Sequence, residues 1–199
     1  MLSALQWLAG LCHPSDTVTG RLLHNVDMSP RCYFLLAINK QVVGRVVFQL
    51  DSRTMPLSTN NFLALCTVGV RRRPKQLLSY RHCKLHSVLI EDGLLIGGDV
   101  LRNNGTGAWS TYGALFGEEH NSSPLTEGTL ALLDWKYTNT YSSQFLIATA
   151  NQAVGRYPYV ASFGKVIEGL LMLKDIVNQY GTDDGYPKAE IAIVDCGRL

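Results

Sequence analysis

The sequence has no long hydrophobic run and no large excess of charge. Its apolar stretches fall well short of the roughly 20 residues that a membrane-spanning helix needs, so we predict no membrane partner. The net charge of +2, from 18 basic and 16 acidic residues, is too small to favour nucleic acid. Hydrophobic residues make up 46% of the 199 residues, which is enough to form one core. These features predict a soluble monomer.

Cysteines are few, odd in number and never spaced as C-x-x-C. Four of the five lie in apolar stretches, which is typical of buried free thiols rather than of a disulfide framework. We therefore predict a reducing compartment, the cytoplasm or the nucleus. The five are Cys12, Cys32, Cys66, Cys83 and Cys196.

No catalytic or metal-binding motif stands out either. A G-x-S-x-G nucleophile elbow is missing, and no helix follows the glycine-rich "NNGTGAW" to bind a phosphate. His82 and His86 would share one face of a strand, but Lys84 lies between them and would repel a metal ion. The cluster at residues 118–120, Glu-Glu-His, is more typical of a solvated loop. We predict no metal and no cofactor.

The pattern of elements predicts a mainly β protein. Helical spacing marks "MPLSTNNFLALCTVGV", with Pro56 in its first turn, and "EGLLMLKDIVNQYG", which should end at Gly181. Many short strands with only two good helices favour a closed antiparallel barrel with helices at its ends. The strand candidates are "RCYFLLAINK", "RVVFQL", residues 83–89, 94–96, 129–133, 144–148 and 160–166, and "AEIAIVDCG".

Two further segments lie outside this pattern. Residues 1–30 should form an N-terminal extension, a short helix capped by Ser3 followed by a polar linker. The basic stretch "VRRRPKQ" fits an exposed loop tip, or a patch for an acidic partner or for nuclear import.

Six segments, in this order, resemble the cyclophilins, which are peptidyl-prolyl cis-trans isomerases. They are "VVGRVVFQL", "MPLSTNNFLALCT", "GGDVLRNNGTGAWSTYG", "SSQFLIATA", "SFGKVIEG" and "IAIVDCGRL". The resemblance covers residues 31–199. It implies a closed eight-stranded antiparallel β-barrel capped by two α-helices.

The resemblance also implies a chemistry without nucleophile, metal or cofactor. The barrier to rotating an X-Pro peptide bond is roughly 18–20 kcal/mol. In this family an arginine donates a hydrogen bond toward the proline nitrogen, which weakens the partial double bond. Phenylalanines, a methionine, a leucine and a histidine hold the proline ring, a tryptophan closes one rim, and a glutamine, an asparagine and backbone groups hold the flanking residues.

Most of these side chains are replaced here. Ser87 stands at the arginine position, and Arg81 precedes the strand and is a poor substitute. The pocket floor falls near Gly93 and Leu94, beside an apparent insertion at Glu91-Asp92. The rim falls in "VGRYPYV", without tryptophan, and the histidine is Val160 or Tyr159. The groove positions are His86, Ser87, Leu94, Ile96, Asn104, Gly105, Leu133, Asp134, Gln144, Leu146 and Val160.

We therefore predict a cyclophilin-like domain that is inactive as an isomerase and binds another protein. Three leucines, Leu94, Leu133 and Leu146, could form a dry apolar patch for the partner. The alternatives are an active or weakly active isomerase acting on proline-containing segments, which the retained Gln144 favours, and a structural module of a larger assembly. His86 should bond the backbone, and residues 104–107 should be a turn kept for its glycines.

Overall fold

The fold is described by a computed structural model of the chain. The predicted helix of the N-terminal extension lies outside the described residues, and of the extension only Ser29 and Pro30 are described. The residues that the structure describes are 29–117, 119, 124–134, 140–153, 156–157 and 160–199.

Ten strands and two helices make up this part of the chain, and the two predicted helices are confirmed. The helices are α1 (Pro56–Cys66) and α2 (Leu170–Tyr180). The strands are β1 (Arg31–Ile38), β2 (Gln41–Leu50), β3 (Val70–Arg73), β4 (Gln76–Leu78), β5 (Leu85–Leu89), β6 (Leu94–Gly97), β7 (Thr129–Leu133), β8 (Phe145–Ala148), β9 (Val160–Glu168) and β10 (Ile191–Arg198).

Eight of the strands form the predicted antiparallel barrel. Their order is β10-β1-β2-β9-β7-β8-β6-β5, and every neighbouring pair is antiparallel. The two edges meet where Lys84 pairs with Ala192 and the N–H of Ile193 donates to the carbonyl of Cys83 at 2.8 Å. A barrel joined in this way leaves few strand edges unpaired. The predicted fold class is confirmed.

Aromatic side chains fill much of the barrel interior. Phe62 comes from α1, and its ring centroid lies 4.9–5.9 Å from those of five other rings. All six are at most 1% exposed. The cluster consists of Phe34, Phe48, Phe62, Tyr80, Phe145 and Phe163. One helix side chain thus ties α1 to five strands and loops.

The start of α1 explains one acidic residue that the sequence left unassigned. Pro56 occupies the first turn, as predicted. The carboxylate of Glu119 accepts hydrogen bonds from the backbone N–H groups of Leu57 (2.5 Å) and Ser58 (2.7 Å). These N–H groups have no partner within the helix, and the helix dipole favours a negative charge there. The interpretation of Glu119 as merely solvated is wrong.

Two short strands were missed in the basic stretch. β3 and β4 pair as a separate two-stranded sheet joined by Pro74-Lys75. Most of the stretch is exposed, as predicted, but it forms a hairpin rather than a loop. Proline is favoured in such a turn. The run of arginines does not predict a strand, because β-propensity depends on packing more than on residue type.

His82 and His86 are also not arranged as predicted. His82 lies in a left-handed turn with φ of 69°, and β5 begins only at Leu85. The two histidines therefore do not share a strand face. Among the residues that the structure describes, no group of three His, Cys, Asp or Glu could hold a metal ion. No helix within the described ranges is long and apolar enough to cross a membrane.

The prediction of buried free thiols is confirmed for Cys32, Cys66, Cys83 and Cys196. Cys12 lies outside the described residues.

Candidate functional site

A second apolar cluster lies on the outer face of the barrel. Side chains alternate along each strand, so where Leu95 and Ile147 enter the barrel core, Leu94 and Leu146 point the other way. We call the outer set the outer cluster. Its buried members are Leu94, Leu125, Ala131, Leu146, Ala148 and Val160, and its partly buried members are Leu89, Ile96, Leu133 and Tyr157. Five predicted groove positions therefore come together.

Most of this cluster is covered by the chain itself. Leu94 and Leu146 are fully buried, and Val160 is 7% exposed. Ile96 and Leu133 are partly exposed. The expectation that Leu94, Leu133 and Leu146 together present a surface patch is therefore wrong for two of the three, because covering residues already exclude water from them. Of these three leucines, only Leu133 is partly exposed, so it is the one that a partner could contact.

One side chain that packs on the outer cluster is held by a carboxylate. Tyr157 packs on the outer cluster, and its hydroxyl donates to Asp92 Oδ2 at 2.6 Å. The guanidinium of Arg156 forms an ion pair with the other oxygen of the same carboxylate, and the side chain of Gln152 donates to the Asp92 carbonyl. Burial, followed by the bond to Asp92, raises the pKa of Tyr157, so the hydroxyl stays protonated and donating at neutral pH.

Sequence reasoning did not find this arrangement, although it noted the insertion that contains Asp92. The insertion lies in the β5–β6 turn, and Tyr157 lies about sixty-five positions further along the chain. Only the fold brings the turn and the rim segment together.

Ser87 occupies the position that the family resemblance assigns to arginine. It pairs across the sheet with Ile96, a member of the outer cluster. A Cβ placed on Gly185 would lie 2.6 Å from the Ser87 hydroxyl oxygen, so the loop after α2 lies directly against this side chain. A serine hydroxyl is short and uncharged.

Arg81 and Arg156 are both ion-paired. Arg81 contacts Asp195 on β10, with 2.5 Å between guanidinium nitrogen and carboxylate oxygen. Arg156 contacts Asp92. Both arginine side chains are about half exposed, so burial does not strengthen either ion pair. Each guanidinium nevertheless already has a carboxylate acceptor.

Gln144 survives from the family pattern, but its amide donors are already used. Its Nε2 donates to the carbonyls of Gly105 at 2.9 Å and Gly107 at 2.7 Å. The side chain is 7% exposed. Because an amide nitrogen carries two hydrogens, Gln144 can offer a ligand only its carbonyl oxygen without breaking these bonds.

A buried carboxylate shapes the loop that Gln144 contacts. Both oxygens of Asp99 accept two backbone N–H groups each, at 2.9–3.1 Å. Burial alone raises the pKa of Asp99, but these bonds outweigh it and the pKa is lowered. A Cβ on Gly107 would lie 2.4 Å from one oxygen, so the close approach requires glycine. The four donors are Leu101, Arg102, Asn104 and Gly107.

His86 lies on β5, and its side chain packs against this loop. Its ring lies against Gly105, which has φ of 82°, and a Cβ there would lie 2.9 Å from the imidazole. The turn at residues 104–107 therefore does need its glycines. Burial lowers the pKa of His86, which favours the neutral ring. Its Nδ1 is buried and has no hydrogen-bond partner among the described residues, so the prediction that His86 bonds the backbone is wrong for this nitrogen.

The remaining polar positions serve their own loops. Asp134 Oδ1 accepts the N–H of Thr140 at 3.2 Å, and Asn104 Oδ1 accepts from the N–H and hydroxyl of Thr106. Trp109 packs against the core, and the guanidinium of Arg72 lies over its ring. Trp135 and Tyr159 lie outside the described residues.

The architecture defines the class of protein: an antiparallel eight-stranded barrel with two helices and a side-chain cluster on the outer face of β6–β9. The family model for cyclophilin type peptidyl-prolyl cis-trans isomerases matches residues 33–198, and the chain belongs to this family. It is 32% identical over 172 residues to the NK-tumor recognition protein of Mus musculus. The match covers 85% of this chain but only 12% of that protein.

Proposed function

We propose that this cyclophilin-like domain does not catalyse prolyl isomerisation and acts as a protein-binding module. The observation that carries the proposal is the combination of Ser87 at the arginine position with an outer cluster covered by Tyr157. Its partner would be a protein segment, apolar or proline-containing, in the cytoplasm or nucleus. The proposal needs no metal and no cofactor.

The energetic argument starts from the missing guanidinium. A hydrogen bond to a charged donor contributes roughly 1.5–3 kcal/mol, so its loss slows the step by about ten- to a hundredfold. A covered ring pocket removes the second requirement, because the proline ring then has no apolar contact to gain. Gln144, whose donors are used by Gly105 and Gly107, adds no compensating donor.

We expect the purified chain to leave the rate of X-Pro isomerisation at background in a protease-coupled peptide assay. We expect the same of Ser87→Arg, because the Gly185 loop lies against this side chain and Tyr157 still covers the cluster. An active family member serves as the positive control.

The alternative of a weak isomerase rests on family membership and on the retained Gln144. Acceleration well above background, lost on Gln144→Ala, would establish that alternative. Recovery of activity by Ser87→Arg alone would show instead that the pocket is open and that only the guanidinium is missing.

We expect Leu133→Asp to abolish partner binding through the outer cluster. Leu133 ends β7 at the partly exposed margin of the cluster, where a carboxylate would have to be desolvated against leucines. Recovery of partners from native extract, quantified for the chain and the variant, measures this. Leu171→Asp on α2 is the matched control, since Leu171 is 77% exposed. Unchanged recovery by Leu133→Asp would place the interface elsewhere.

A further inference from the structure

The β3–β4 hairpin concentrates positive charge that no acidic side chain in the described part of the chain neutralises. It carries four cations within five positions, whereas the whole chain has a net charge of +2. None of the four forms an ion pair with any residue in the described ranges. The four are Arg71, Arg72, Arg73 and Lys75, and we call them the basic hairpin.

Two of the four basic side chains make contacts that restrict their positions. The guanidinium of Arg72 lies over the ring of Trp109, 4.6 Å from its centroid. Arg71 Nη1 donates to the carbonyl of Pro74 at 2.6 Å, across the turn. Side chains that are already held in place lose less conformational freedom when they bind a ligand.

Apolar surface lies next to these charges. Leu77 pairs with Arg71 across the two strands and is 58% exposed. Val68, just before β3, is 76% exposed. Both line an open cleft of about 390 Å³ at the base of the hairpin, whose far wall includes Val100 and His82. The surface therefore combines the four cations with two exposed aliphatic side chains, Leu77 and Val68.

We infer that the basic hairpin and this cleft bind an acidic protein segment that carries an aliphatic side chain. Carboxylates complement the unpaired guanidinium groups, and the aliphatic group covers Leu77 and Val68. Nucleic acid fits less well, because Arg72 already covers the Trp109 face on which a base would stack. None of these residues belongs to the outer cluster, so the inference holds whatever the isomerase assay shows.

Fluorescence polarisation with a labelled Asp/Glu-rich peptide containing one central leucine tests this inference. We expect Arg71→Glu/Arg73→Glu to weaken binding by at least about tenfold, through lost attraction and new repulsion. Raising salt should weaken the wild type as well, since exposed charges are screened. Leu77→Ser should weaken binding of this peptide but not of one in which glycine replaces the leucine.

The matched control is Lys165→Glu/Lys188→Glu, which changes the net charge equally at exposed lysines outside the hairpin. It should bind within about twofold of the wild type. If the lysine variant lost as much peptide affinity as the arginine variant, overall charge would explain the effect, and the inference would be overturned. Tighter binding of a labelled single-stranded oligonucleotide than of the peptide, or no peptide binding at all, would also overturn it. Circular dichroism melts confirm that each variant is folded.

Discussion

Phe62→Ala is expected to lower the free energy of unfolding by about 3–5 kcal/mol. Phe62 is completely buried, and its ring contacts those of Phe34, Phe48, Tyr80, Phe145 and Phe163. Removing it leaves a cavity whose neighbours come from several strands and cannot all collapse into it. Small domains are stable by about 5–15 kcal/mol, so much of the total would be lost. Urea denaturation measures the change.

The control for this substitution is Leu171→Ala on α2, where the side chain is 77% exposed. It should change stability by no more than about 0.5 kcal/mol. A loss below about 1.5 kcal/mol for Phe62→Ala, with an unchanged dependence on urea, would mean that the cluster repacks around the missing ring. The aromatic cluster would then not be what holds α1 to the barrel.

Asp99→Asn is expected to lower the free energy of unfolding by about 2–4 kcal/mol. The amide keeps one oxygen but turns a nitrogen toward two of the four N–H groups, and each buried unsatisfied donor costs about 1–3 kcal/mol. Asp51→Asn is the matched control. Asp51 also accepts backbone N–H groups, from Arg53 and Thr54, but it is exposed, so water can replace the lost bonds.

The pH dependence of this difference follows from the lowered pKa of Asp99. In the unfolded chain the carboxyl titrates at about 3.9, so the folded state binds its proton less readily. Its contribution is therefore complete above about pH 4 and is lost as the pH falls through the folded pKa. The stability gap between wild type and Asp99→Asn should shrink in urea melts as the pH falls from about 7 to about 3. A gap that stays constant would show that the bonds, rather than the charge, account for it.

The general architecture could be predicted because its causes are local. Pro56 and Gly181 mark the ends of the two helices, and short apolar runs mark most of the strands. The placement of Ser87 at the family's arginine position was also a prediction from the sequence, since Ser87 follows directly on His86. None of this required knowledge of distant contacts.

The contacts of the site could not be predicted, because each depends on residues far apart in the chain. Glu119 caps α1 from about sixty positions away, and Asp92 holds Tyr157 across a similar separation. Sequence reasoning treated the first as a solvated residue and the second as part of an insertion. Burial was also misjudged for Leu94 and Leu146, because a strand pattern shows which residues share a face but not what covers that face.

The sequence by itself determined the barrel with two helices and the family, because propensity, periodicity and residue identity are properties of short segments. Only the tertiary structure decided that Tyr157 packs against the outer cluster, that the Gln144 donors are already used, and that the basic run forms a hairpin beside an open cleft. The physical reason is that burial and hydrogen-bond satisfaction are set by which distant segments the fold brings together.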